Sequence, residues 1–226
     1  MKVIIGSGKL ATLLIDRIER SETVGVYGRN EETVQSLLKR YSHLQAVPIE
    51  RLNEADDVFL CIPASSYHSF FKEASSIIKK DAILYHMATA LMKNDVKELT
   101  QGQTIIPLKF AGHALQAKQE QGGILVLEKE WAEKYDQINF LFPLLQVVIG
   151  REEEVLMANT LATKAAIEMA MTVEHELKKK AISETIASQM LKQVVPGVLN
   201  SYLSGNLGHF ARTFVNEVQK KVDDDQ

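Results

Sequence analysis

The stretch Lys2-Val3-Ile4-Ile5-Gly6-Ser7-Gly8-Lys9-Leu10-Ala11 decides how the chain reads. Val3, Ile4 and Ile5 are consecutive β-branched residues, the composition of a strand buried on both faces of a parallel sheet. The run breaks at Gly6-Ser7-Gly8, and a helical pattern starts at once with Leu10, Ala11, Leu13, Leu14 and Ile18. Gly6, Gly8 and Ala11 stand at the G-x-G-x-x-A spacing of a dinucleotide-binding turn. There Gly6 permits the sharp exit from the strand, Gly8 lets backbone approach a pyrophosphate, and Ala11 keeps helix near strand. The helix N-terminus offers free N–H groups and a positive dipole end to the phosphates. A Gly-x-Gly turn also serves as a plain strand-to-helix connection, but a strand before it and a helix after it favour the nucleotide reading. Gly6, Ser7, Gly8, Lys9 and Leu10 are therefore predicted cofactor contacts.

A second strand, Thr23 to Tyr27, ends about 20 residues beyond the glycines, where NAD-binding chains carry an Asp or Glu for the ribose hydroxyls. Here the residues are Gly28-Arg29-Asn30. A carboxylate would repel a 2′-phosphate, whereas a guanidinium pairs with it through parallel charge-assisted hydrogen bonds. The spacing thus predicts NADP(H) rather than NAD(H), with Gly28, Arg29 and Asn30 in contact. The alternative is that Arg29 is a solvated loop cation. Glu31 and Glu32 have a dipole reason to open the next helix.

With 226 residues the chain can hold one compact domain and a smaller one. A net charge of −3 gives no electrostatic case for a nucleic-acid partner. The single cysteine, Cys61, excludes an intrachain disulfide and a thiolate metal cluster. The scattered histidines show no metal-ligand spacing, so no metal site is expected. Nothing resembles a signal peptide and no apolar run approaches the ~20 residues that span a bilayer, so the default expectation is a cytoplasmic protein with no membrane partner.

To about Gly150, short apolar runs alternate with helical patterns. Further strands are expected at Gln45–Val47, Asp57–Ile62, Ala82–Met87, Ile105–Ile106, Ile124–Leu127 and Gln146–Ile149. Helices are expected at Glu32–Tyr41, from Ser65 or Ser66 as caps through Ile78, and at Trp131–Phe140. The alternation predicts a Rossmann-type doubly wound, mostly parallel α/β sheet. Beyond Gly150 the pattern is helical: one long helix over Arg151–Lys180, then Ala181–Val195, Val198–Leu203 and Leu207–Val222, punctuated by Pro196-Gly197 and Gly205-Asn206. The run Lys220–Asp225 reads as a frayed end. The expected domains are 1–150, dinucleotide-binding, and 151–226, all-helical. On the long helix Val155, Ala158, Ala162, Ala166, Met169 and Val173 share a small-residue face that invites a homodimer.

In an open parallel sheet, ligands gather outside the carboxyl ends of the strands where strand order reverses. That places Cys61, Ile62 and Pro63 beside the ribose or nicotinamide, with His68 and Thr89 as further cofactor contacts. Candidates for proton chemistry are Lys164, which is alternatively a partner of Glu168 one turn on, and Lys109, which is either a substrate-carboxylate anchor or a surface lysine. His86 reads as a satisfied core histidine and Cys61 as structural.

The GSGKLA turn, the second strand ending GRN, the run DDVFLCIP and the helical tail together resemble the pyrroline-5-carboxylate reductases. They also resemble the related deazaflavin-linked NADP oxidoreductases and β-hydroxyacid dehydrogenases. The resemblance implies an NADP-binding Rossmann domain, hydride transfer to an imine, deazaflavin or keto acid, and a dimer made by the helical tail. The substrate motifs depart from it. Where the reductases carry Met-Pro-Asn-Thr-Pro, this chain has Ile106-Pro107-Leu108-Lys109-Phe110. Their Gly/Ser-rich loop is replaced by Gly150-Arg151-Glu152-Glu153-Glu154, and where the hydroxyacid enzymes place Lys with Asn four residues on, Lys164 is followed by Glu168. The leading reading is an NADP-dependent oxidoreductase acting on a small molecule, with Lys109 or Lys164 orienting or protonating the substrate. The alternatives are a non-catalytic NADP-binding protein or redox sensor that has lost the substrate motifs, or the same fold holding another nucleotide.

Overall fold

A computed structural model describes residues 1–224. The β-branched run forms β1 (Lys2–Ile5), followed by α1 (Lys9–Arg17), β2 (Val24–Tyr27), α2 (Glu31–Arg40) and β3 (Leu44–Ala46). A 3-10 turn over Ile49–Glu54 leads to β4 (Asp57–Leu60), then α3 (Tyr67–Ala74), β5 (Ile83–His86), α4 (Lys93–Lys97) and β6 (Thr104–Ala111). The sheet closes with α5 (Ala114–Glu120), β7 (Ile124–Glu128), α6 (Tyr135–Leu141) and β8 (Gln146–Gly150).

The strands form one sheet in the order β3-β2-β1-β4-β5-β6-β7-β8. Pairing is parallel except between β6 and β7. Alternate side chains feed two cores, as the period of a strand requires. Ile4, Phe59, Tyr85 and Leu108 face α1, α2, α5 and α6. Val3, Ile5, Val58, Leu60 and Leu84 face α3, α4 and the turn carrying Leu52. Helices on both faces make the sheet doubly wound, and strand order reverses between β1 and β4.

Several elements differ from expectation, among them α4 and α5, which the patterns do not mark. The helix starting near Ser66 ends at Ala74 rather than Ile78, because the chain turns there; the amides of Ile77 and Ile78 both bond to Ala74 O and return Ile78 to the core. β6 runs over eight residues, through Pro107. Pro107 is the last residue paired with β5, opposite His86, and the β7 ladder begins at Leu108, so the imide sits where one ladder hands over to the next. The expected Trp131–Phe140 helix is a 3-10 turn over Lys129–Lys134, with non-helical Trp131, followed by α6.

A 28-residue helix, α7 (Glu152–Lys179), follows β8. Its start is rooted in the α/β part: Val155 is buried, Glu152 N donates to Glu128 Oε1 (2.6 Å), and Asn159 accepts from Gly112 N and donates to Phe110 O (both 3.1 Å). The chain divides into two compact units inside this helix, between Leu161 and Ala162.

In the second unit α7 ends at a turn where Ala181 has φ +56°, and Ser183 caps α8 (Glu184–Gln189). Pro196-Gly197 does not break the chain. A π-turn over Met190–Val194 leads directly into α9 (Val195–Leu203), and Pro196 is the second residue of that helix. Gly205 (φ +71°) ends α9. The single helix expected over Leu207–Val222 is α10 (His209–Arg212) and α11 (Val215–Asp224), separated at Thr213-Phe214. Of the run expected to fray, α11 is helical through Asp224, and Asp225 lies outside the described residues. No described helix is long and apolar enough to cross a membrane.

Candidate functional site

A cavity of about 290 Å³ opens at the carboxyl ends of β1, β2 and β4, where the strand order reverses. Ile5-Gly6-Ser7-Gly8, Tyr27-Gly28-Arg29-Asn30 and Cys61-Ile62-Pro63 form three of its walls; Ser66, just before α3, and Ser69, Phe70 and Glu73 of α3 form the fourth.

The glycines differ in what requires them. Gly6 has φ +115°, and a Cβ there would stand 2.6 Å from Cys61 O, so the turn into α1 is locked against the end of β4. At Gly8 a Cβ would meet nothing of the chain within 4 Å. This open approach beside the first turn of α1 suits a phosphate group. At Gly28 a Cβ would press on Val34 (3.0 Å) and Ser7 Oγ (3.2 Å).

Ser7 ties the glycine turn to α2. Thr33 Oγ1 donates to Asn30 O (2.8 Å), so its contact with Ser7 Oγ (2.7 Å) receives the serine proton. Asn30 caps α2, its Oδ1 accepting from Thr33 N at 3.0 Å. Arg29 Nη2 donates to Ser66 Oγ (3.3 Å), and among the described residues no carboxylate lies within ion-pair distance of this guanidinium. Glu31 and Glu32 occupy the first turn of α2.

Of the residues expected at a cofactor site, Gly6, Ser7, Gly8, Gly28, Arg29, Asn30, Cys61, Ile62 and Pro63 line this cavity. Lys9 and Leu10 begin α1 beside it, His68 is exposed on α3, and Thr89 is half-buried in the turn after β5; none of these four is in the wall. The Cys61 thiol is buried against Met87 Sδ (3.5 Å), and burial pushes its pKa up. Ser66 reads from sequence only as a helix cap, and Ser69 carries no signal of its own there. Tyr27 and Phe70, 6.3 Å apart between ring centroids, supply apolar surface that the strand and helix patterns assigned to the core.

Lys109 is neither a surface lysine nor free to meet a substrate carboxylate. Its side chain is 1% exposed, and Nζ donates to Ala88 O (2.6 Å) and Leu91 O (2.8 Å) and lies 2.6 Å from His86 Nε2. Tyr67 donates its one proton to Leu60 O (3.1 Å) and lies 3.0 Å from His86 Nδ1, while His86 Nε2 faces both the ammonium (2.6 Å) and Leu91 O (2.8 Å). Glu152 Oε2, 3.2 Å away, is an ion-pair partner with no hydrogen bond of its own, while Oε1 accepts from Lys93 N at 2.7 Å. Burial lowers the Lys109 pKa to about 8 against the opposing pull of Glu152. Burial first, then Lys109, lowers that of His86 to about 3.

Lys164 is exposed on α7 in the second unit, and among the described residues it makes no ion pair with Glu168. No group of three His, Cys, Asp or Glu among the described residues gathers as a metal site.

Residues 3–89 match the family described as "NADP oxidoreductase coenzyme F420-dependent". No curated protein sequence matches the chain. Among solved structures, a pyrroline-5-carboxylate reductase from Coxiella burnetii superposes with a TM-score of 0.66 at 14% identity, covering 99% of this chain and 89% of that one. The imine reductase from Myxococcus stipitatus in complex with NADP+ gives a TM-score of 0.61 at 13% identity, covering 98% and 78%. A glycerol-3-phosphate dehydrogenase from Plasmodium falciparum gives 0.60 at 14%, covering 92% and 68%. At such identities the likeness is one of fold. The chain therefore has the Rossmann-type fold of these NAD(P)-dependent oxidoreductases, and over residues 3–89 it resembles that superfamily in sequence as well.

Proposed function

We propose that this chain is an NADP(H)-dependent oxidoreductase that transfers a hydride between NADPH and a small molecule of imine, keto acid or deazaflavin type. The observation that carries the reading is the Arg29 guanidinium, with no carboxylate partner among the described residues, in the wall of a cavity built on the glycine turn. Its volume, about 290 Å³, suits the adenosine end of a dinucleotide. Gly8 leaves room for the pyrophosphate, and the first turn of α1 supplies N–H donors to it. The nicotinamide, when bound, supplies the hydride; the chain's task is to hold it, orient it and exclude water. With Lys109 committed to the core, Lys164 is the remaining lysine proposed to orient or protonate a substrate. The small-residue stripe is uncovered at Ala158, Ala162 and Ala166, and Met157, Leu161, Ile167 and Met171 are exposed on the same helix, which supports a homodimer through α7. We place the protein in the cytoplasm.

Calorimetric titration with NADPH and NADH, repeated on Arg29→Ala, tests the cofactor half. Tight NADPH binding, weakened in the variant while NADH is unaffected, is the expected result. No binding of either dinucleotide overturns the reading. Loss of NADPH absorbance with an imine, a keto acid or a flavin then tests the enzymatic half.

A further inference from the structure

Ser66, at the entry to α3, and Ser69, Phe70 and Glu73 within it recur at helical spacing and line the cavity together. Ser66 is held firmly. Its amide bonds to Pro63 O (2.8 Å), and its carbonyl accepts from Ser69 Oγ (3.0 Å), which commits the Ser69 proton. Ser66 Oγ accepts from Arg29 Nη2, and among the described residues nothing accepts the Ser66 proton. The Asn30 side-chain oxygen faces Thr33 N, and its NH2 group likewise has no acceptor among the described residues. The polar groups still available at this end of the cavity are therefore donors: a guanidinium, a hydroxyl and an amide. That set matches a phosphate monoester, with its several acceptor oxygens and its negative charge. Glu73, one turn beyond Ser69, is the acidic side chain of the lining; it acts on the Tyr27 phenol, raising its pKa behind the effect of burial.

We propose that Ser66 is a specificity-determining residue: its hydroxyl donates to the 2′-phosphate that Arg29 pairs with, while its oxygen holds the guanidinium toward the cavity. A hydroxyl performs both roles at once, having one donor and two lone pairs. The proposal rests on the NADP(H) reading and adds a residue from the entry to α3 to a site otherwise built from the end of β2.

The test is calorimetric titration of the full chain with adenosine 2′-phosphate, adenosine 5′-phosphate, NADPH and NADH. It compares wild type, Ser66→Ala, Ser66→Thr and Arg29→Ala. Ser66→Ala should weaken adenosine 2′-phosphate and NADPH about tenfold, the effect of one hydrogen bond to a charged group, and leave adenosine 5′-phosphate and NADH unchanged. Ser66→Thr, which keeps the hydroxyl, should restore binding of the 2′-phosphates. If NADPH is preferred and Arg29→Ala abolishes the preference while Ser66→Ala does not alter it, the role of Ser66 is refuted and the cofactor reading stands. Equal losses for all four ligands in Ser66→Ala also refute it, since they mark a general packing defect. If wild type binds neither dinucleotide, or both equally, the cofactor reading falls and this proposal with it.

Discussion

Replacing Lys109 with methionine removes the hub of the buried polar cluster while keeping most of its volume. Methionine offers no donor, so the carbonyls of Ala88 and Leu91 and Nε2 of His86 lose their shared partner, and the Glu152 carboxylate, 7% exposed, loses its counter-charge. Breaking one half of a buried ion pair costs about 3–5 kcal/mol. For a chain of this length about 2–4 °C of Tm is lost per kcal/mol, so the melting temperature should fall by roughly 6–20 °C. The double variant Lys109→Met with Glu152→Gln removes the stranded charge and should recover part of the loss, with a coupling of about 0.5–3 kcal/mol. Urea unfolding supplies the free energies of the cycle. A further signature is pH dependence. The Lys109 pKa lies near 8 in the folded protein and near the usual 10.5 when unfolded, so between those values the unfolded chain binds the extra proton and stability rises with pH. Wild type should gain up to about 3 kcal/mol across that window relative to Lys109→Met, from 1.36 kcal/mol per unit. A single variant within about 1 kcal/mol of wild type, or additive effects in the double variant, would refute the account of this cluster.

Gly8→Ala should leave the melting temperature nearly unchanged, because its Cβ meets only open space, yet weaken NADPH binding at least about tenfold by filling the phosphate approach. Gly6→Ala should lower stability itself by about 1–3 kcal/mol or more through its positive φ and the Cys61 carbonyl, measured by thermal melting. His86 stays neutral when folded, with a pKa near 3 against about 6.5 unfolded, so its contribution is complete above about pH 6.5 and is lost as pH falls. Between pH 6.5 and 4.5 that loss should reach about 2.7 kcal/mol and be absent from His86→Gln in paired urea titrations; equal slopes would count against it. Asn159→Ala removes both bonds joining α7 to the end of β6 and should cost about 1–3 kcal/mol by urea unfolding.

The α/β half was legible because its signals are local. The glycine turn, the β-branched strands and the Asn30 cap each lie within a few residues and act on their neighbours. Arg29 could be assigned from its place after β2, since the end of that strand is defined by the strand itself. Lys109 could not. Pro107 argued against a continuing strand, and only the exchange of a parallel partner for an antiparallel one makes a proline tolerable there. Its polar contacts come from the end of β5 and the turn after it, and its counter-charge from α7, all distant in sequence. Ser66 fits a helix cap equally well from its neighbours; its contact with Arg29 exists only once β2 and α3 meet. Pro196 misled in the opposite direction, because a π-turn is not written in local propensity.

The burial of Cys61 makes the chain its own reporter. The single sulfhydryl sits at the end of β4, its carbonyl against Gly6 and its sulfur against Met87, with burial holding it as an unreactive thiol. A thiol reagent can modify it only when this corner opens, so the labelling rate of unmodified protein measures the local opening of the glycine turn. Any ligand that closes the turn slows that clock, and the slowing can be read without knowing what the ligand does next.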